Sequence, residues 1–231
     1  MNSIKAMFKK QFIDTMKNRM ILIQFIIMPL MAFIMTELVA KRNDEVPNSI
    51  FVTMFAAMFI GMAPLMTMSS AIAEDRERKS LRFLVMAGVK PYEYLCGVGG
   101  FILLICFIIS VIFGLITGFD LFDMLKFILA LFLGSATSIV LGATIGIMSK
   151  NQQIATAISV PVFMLFSFTP MIAQFNEKVE KIADVLYTQQ INTIVNDITT
   201  SSTKPYIIIA INMVVFILLF LIAYNKKGLK G

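Results

Sequence analysis

Residues 74–79 read Glu-Asp-Arg-Glu-Arg-Lys, six ionisable side chains in a row with alternating sign. Glu74 with Arg78, and Asp75 with Lys79, stand four positions apart, a spacing that supports a helix. Leu81, Leu84 and Val85 then make one apolar face, and Phe83, Met86 and Ala87 make another. Gly88 is a natural helix stop, and Pro91 with Glu93 suits the first turn of the next helix. The reading is a short helix with apolar and charged faces, built for contact. An ordinary basic loop with a helix-like end is the plainer alternative. The rest of the chain offers little chemistry of other kinds. It has no histidine, the commonest metal ligand and general base. It has no GxxxxGK[ST] phosphate loop, and no polar triad or metal cluster at membrane depth that would suit an intramembrane enzyme.

The elements that must position this segment are membrane spans. Of 231 residues, 58% are hydrophobic and 15% charged, where a soluble domain carries about 25% charged. Mean hydropathy is +0.84. Six apolar runs are each near the ~20 residues a spanning helix needs: Met20–Ala40, Ile50–Ala73, Leu95–Gly118, Leu125–Met148, Ile154–Ile172 (broken by Pro161 and Pro170) and Pro205–Tyr224. The first is too long for the core of a cleavable signal and is expected to stay in place. The length leaves no room for a second soluble domain of ~100 residues. The fold class expected is therefore an all-α membrane protein: 1–19 an amphipathic helix, 20–224 six spans with a loop at 74–94 and a long outer segment at 175–204, and 225–231 a basic tail.

Loop charges set the expected orientation. With the N-terminus inside, 14 of 20 basic and five of 14 acidic residues lie inside, net +9, which leaves −3 outside. Both termini are then cytoplasmic, and the overall charge of +6 needs no nucleic-acid partner, because attraction to anionic lipid heads accounts for it. In residues 1–19, Ile4, Phe8, Phe12 and Met16 recur every four positions, as if on one face, with lysines elsewhere. Such a helix can lie in the membrane interface or pack on a cytosolic partner. Short helices on the outer surface are expected between Phe175 and Lys204, capping the fifth and sixth spans. Cys96 and Cys106 stand ~15 Å apart along a helix, too far for a disulfide.

Two stripes run along the spans. Ala130, Gly134, Ser138, Gly142 and Gly146 form a small-residue ridge, which permits close helix packing within the chain or at a dimer seam. Met54, Met58, Met62 and Met66 form a flexible, polarizable line beside Phe51, Phe55 and Phe59, either a substrate path or packing. Away from their ends the spans hold almost no ionisable residue, Glu37 lying near an outer edge. Ion-coupled carriers usually keep one, and the two halves show no convincing repeat.

Acid-rich charge after the second span, then Ser80-Leu-Arg-Phe-Leu84, Ala87-Gly88 and Pro91-x-Glu-Tyr-Leu95, resembles the ABC-2 type permease family. The resemblance covers nearly the whole chain. It implies that the 74–94 loop is a coupling helix docking into a groove of a separate ATPase subunit through Glu74, Glu77, Leu81, Arg82, Leu84 and Gly88. It implies a second ATPase contact around Phe8, Phe12 and Met16. It further implies two permease copies (or a related second permease) with two ATPase subunits. ATP and Mg²⁺ would be bound by the ATPase, and no cofactor by this chain. The chain departs from the family pattern at Ser80, where many members have glycine or threonine. It departs again at Tyr187-Thr-Gln-Gln-Ile-Asn192, where many have an Asn-Pro-type turn. The expectation is a multi-pass plasma-membrane exporter subunit of bacterial type, moving a hydrophobic drug or an amphipathic or antimicrobial peptide. Na⁺, lipid and polysaccharide are the alternative substrates, and a membrane sensor or immunity protein that binds without transport is the alternative class.

Overall fold

Among the described residues, six helices are long and apolar enough to cross a bilayer: Arg19–Arg42, Ser49–Glu77, Tyr92–Thr117, Leu121–Met148, Gln152–Ala173 and Lys204–Lys226. The computed structural model describes residues 3–43, 47, 49–198 and 203–228, and among these there is no strand. The side chains of Arg82, Val85, Pro91, Lys227 and Gly228 lie outside the described residues.

Helix α1 (Ser3–Lys17) meets α2 (Arg19–Leu38) at Asn18, whose extended backbone breaks the helix and whose Oδ1 accepts the Met20 and Ile21 amides, at 3.1 and 3.4 Å. This side-chain cap satisfies two of the amides a helix start leaves open. Helix α3 (Ser49–Glu77) is the second span, and it does not stop at the end of the apolar run. The charged residues 74–77 continue it, so they extend a span and do not begin a separate coupling helix. Lys79 (φ 59°) breaks the chain, and only then does α4 (Ser80–Met86) begin. Gly88 (φ 82°) ends α4 in the left-handed conformation glycine adopts freely. Next comes α5 (Pro91–Tyr94), where the Lys90 amide donates to Glu93 Oε2 at 2.9 Å. A π-turn over Leu95–Gly99 joins it to α6 (Gly100–Thr117).

The remaining spans are α7 (Leu121–Met148), α8 (Gln152–Ala173) and α11 (Lys204–Ala223). Helix α8 runs unbroken through Pro161 and Pro170. The expected interruption does not occur, because packed neighbours and local adjustments let membrane helices carry proline. Helices α3 and α7 are the most buried spans. Helix α3 packs chiefly on α7 and α8, then on α2 and α6.

The small-residue ridge explains the α3–α7 pair. A Cβ on Gly142 would strike the Leu65 carbonyl, one on Gly146 would lie 2.8 Å from the Ser69 carbonyl, and one on Gly134 would lie 2.8 Å from Ile60 Cγ2. Ser138, fully buried, donates to the Ile60 carbonyl at 2.7 Å. Of the two readings of the Gly134–Ser138–Gly142–Gly146 ridge, the structure uses packing within the chain.

The segment between the last two spans departs from expectation. Helix α9 (Glu177–Ala183) is short and capped by Asn176, whereas α10 (Tyr187–Asn196) is buried on nearly every side. It inserts among α3, α7, α8 and α11 and does not lie on the surface. Tyr187, 0% exposed, meets the Phe166 ring at 5.1 Å and the Phe216 ring at 6.0 Å. Phe216 lies about 18 Å along α11 from Lys204. The Tyr187 hydroxyl stands 2.7 Å from Ser138 Oγ, extending the chain of hydroxyls that ends on Ile60. These side-chain bonds are what let a polar helix sit inside an apolar bundle.

The α3–α7 contact sets a test. Gly142→Leu should lower stability by about 1–3 kcal/mol or more, the usual cost of overpacking. Gly100→Ala, where nothing lies within 4 Å, should be neutral or stabilising by up to about 1 kcal/mol. Thermal unfolding of the purified protein in detergent distinguishes the two; equal melting temperatures would contradict the ridge assignment.

Candidate functional site

Asp75 is 2% exposed, on the last turn of α3 at the basic end of the bundle. A buried carboxylate is costly unless several partners satisfy it, and three elements converge on it to do so. Lys10 of α1 approaches Oδ1 at 2.5 Å, and the Ser80 hydroxyl at the start of α4 donates to the same oxygen at 3.0 Å. The Tyr94 hydroxyl of α5, itself 6% exposed, donates to Oδ2 at 2.6 Å. Asp75 thus turns inward, and the expected Asp75–Lys79 pair does not form. The Glu74–Arg78 pair does form, at 2.7 Å. Arg76 donates to the Ile147 carbonyl, and Glu77 Oε2 accepts the Gln152 amide at 3.1 Å. The inner ends of α3, α7 and α8 are therefore pinned next to the same cluster.

Helix α4 hangs from this anchor with two unlike faces. Leu81 (7% exposed) and the half-buried Leu84 pack inward, around a small gap they share with Ile72, Tyr94, Ile147 and Phe220. Phe83 and Met86 point away, each 65% exposed. Of the expected contact residues, Leu81 and Leu84 therefore face the chain's own core. Glu77 is exposed and Glu74 partly exposed. Gly88 shapes the helix end. The side chain of Arg82 lies outside the described residues.

Helix α1 buries Met7, Gln11 and Thr15. Met7 packs on Gly97 in the π-turn, where the Ile4 carbonyl would lie 3.0 Å from an added Cβ. The Ile4–Phe8–Phe12–Met16 line runs beside this buried stripe and stays exposed or half-buried along its length. Phe8 and Phe12 still reach Phe101 edge-on at 5.3 and 5.7 Å, while Phe12 and Met16 remain 49% and 45% exposed.

The methionine line is unevenly buried. Met58 is buried, while Met54, Met62 and Met66 are half-buried. Met66 lines a cleft of about 460 Å³ between α2, α3 and α8, with Thr67, Ser69, Ser70, Gln152 and Thr156. Hydroxyl contacts hold its far wall: Ser69 to Ser159 at 2.8 Å, and Ser70 to Gln152 at 2.6 Å. Among the described residues no group of His, Cys, Asp and Glu is arranged to hold a metal, and both cysteines are free.

Sequence reasoning missed the Asp75 cluster; it placed Phe83 and Met86 on an apolar face but not among the contact residues. The signal for the first was present. The buried positions Leu65, Met68 and Ile72 continue by steps of three and four to Asp75, so the carboxylate had to face the core.

Removing the carboxylate should be felt more than removing the amine. Asp75→Ala should lower stability by about 2–4 kcal/mol, since it strips partners from buried groups. Lys10→Met should cost less, because Lys10 is 34% exposed and water can replace part of the pair. Chemical unfolding followed by tyrosine fluorescence checks this; equal small effects would contradict the anchor.

The family model described as ABC-2 family transporter protein matches residues 1–224. No curated protein matches the chain.

Proposed function

The chain belongs to the ABC-2 family of transporter proteins and is a membrane permease subunit, and from that premise we propose that it is the membrane half of an ATP-driven exporter. The observation that carries the proposal is α4. Two large apolar side chains, Phe83 and Met86, stand 65% exposed on a short helix outside the spans, and an apolar patch away from lipid marks a protein contact. The partner is a separate ATPase subunit that binds ATP and Mg²⁺, in two copies with two permeases. The basic end of the bundle faces the cytoplasm, by the excess of lysine and arginine there.

The contact comprises Phe83 and Met86, with Glu74 and Glu77 beside them and the exposed flank of α1 at Phe12 and Met16. Force applied to α4 passes through Ser80 and Asp75 to α3, α1 and the start of the third span. Helix α3 carries it to α7 through the glycine ridge and to α8 through the serine contacts. Tilting α3 between α2 and α8 would widen the cleft at Met66. That cleft is apolar and hydroxyl-lined and has no ionisable side chain, so it suits an apolar or amphipathic solute. A hydrophobic drug or an amphipathic peptide fits it better than Na⁺, whose lost hydration nothing there replaces.

Phe83→Asp/Met86→Asp should leave insertion and melting temperature unchanged, because neither side chain is in the core. It should reduce capture of the ATPase subunit, and permease-stimulated ATP hydrolysis, by at least about tenfold, the loss expected from two buried interface anchors. Full stimulation by the variant in proteoliposomes would overturn the docking face.

A further inference from the structure

A second cleft, of about 540 Å³, opens at the basic end between α1, the start of α2 and the end of α3. It shares Asn18, Met20 and Ile21 with the cleft at Met66, so the two adjoin along the start of α2. Their linings differ in a way that matches one kind of molecule. In the outer chamber the carboxylates are already engaged, Asp14 by Lys10 at 3.4 Å and Glu74 by Arg78 at 2.7 Å. Lys17 and Arg19 line the same chamber, and among the described residues neither has a carboxylate within ion-pair distance.

In the inner chamber two polar atoms lack a partner. Thr67 is 1% exposed with its Oγ1 unbonded, and Gln24 has a buried Nε2 with no acceptor. Both line the cleft. Buried donors left in this state are costly, and a carbonyl oxygen in the cleft would serve them. Met20, Ile23 and Ile27, 78%, 56% and 44% exposed, continue the wall as an apolar track.

We propose that the adjoining clefts are a binding site for an anionic glycerophospholipid, with its phosphate between Lys17 and Arg19, an ester carbonyl at Gln24 and Thr67, and an acyl chain along Met20, Ile23 and Ile27. The site lies away from Phe83 and Met86, touches the ATPase-docking face only at Glu74, and shares its inner wall with the cleft proposed for the solute. A lipid held there ties the α1–α2 elbow to α3 and occupies the mouth of the cleft.

Native mass spectrometry of the full chain, released from nanodiscs holding equal phosphatidylglycerol and phosphatidylcholine, tests the proposal without ATP or a partner. The wild type should retain phosphatidylglycerol preferentially, by about fivefold for each engaged cation. Lys17→Ser/Arg19→Ser should remove the preference, whereas Lys5→Ser/Lys9→Ser, of equal charge change on exposed α1 positions, should not. Gln24→Leu should weaken retention of ester-linked phosphatidylglycerol and leave the ether-linked analogue unaffected. Excess inorganic phosphate should not displace the lipid. Equal retention of both lipids by the wild type would overturn the site. So would equal losses in the two double variants, or no ester–ether difference in Gln24→Leu. Full displacement by phosphate would overturn the carbonyl and acyl contacts.

Discussion

A carboxylate taken out of water must be met by donors from whatever elements surround it, and at Asp75 those elements are α1, α4 and α5. No one of these elements is long or apolar enough to hold its place alone: α4 has seven residues and α5 four, well below the length at which an isolated helix persists. Their positions follow from the need to satisfy one buried charge at the foot of α3. The cost of burying it is offset only while all three donors stay in register, so the cluster makes α1, α4 and α5 into one body with the second span. Replacing the donors one at a time would leave the charge only partly satisfied, which is worse than an apolar substitute.

The spans repeat the same logic with weaker groups. Helix α7 approaches α3 closely because glycine and serine occupy the facing ridge, and the hydroxyl of Ser138 uses that closeness to bond the Ile60 carbonyl. On the other side of α3, Ser69 and Ser159 meet directly, and Ser167 donates to the Met58 carbonyl at 3.0 Å. Polar contacts thus lie along both flanks of α3 while lipid-facing residues such as Leu30, Leu104 and Val214 remain exposed. Between α2 and α8 the packing relaxes into the cleft at Met66.

Much of this was legible in the amino-acid order. Twenty-residue apolar runs, the stop at Gly88 and the first-turn place of Glu93 all follow from local rules, and the spans came out within a few residues. Three features were not legible for physical reasons. The methionine stripe was read as one face, but only the packed bundle decides that Met58 is buried while Met54, Met62 and Met66 stay half-buried. The charged run was read as the start of a separate helix, whereas backbone hydrogen bonding continues α3 through Glu77 until the left-handed Lys79 breaks it. Helix α10 looked like a surface cap because its Gln and Asn residues are polar. Tertiary partners, Ser138 for Tyr187 and the Asp184 carbonyl for Gln190 at 2.6 Å, allow it to be buried. Ser80 and Tyr187, the two points of departure from the family pattern, both turn out to hold such partners.

The central claim is that α1 and α4 act as one unit, joined at Asp75, and that the unit receives the ATPase subunit. Hydrogen–deuterium exchange on the reconstituted permease, with and without the ATPase, tests it most directly. The account predicts that residues 3–17 and 80–86 gain protection together on binding, and that Asp75→Ala uncouples them while the spans exchange as before. Protection of one segment without the other in the wild type, or of neither when the ATPase is bound, would contradict it.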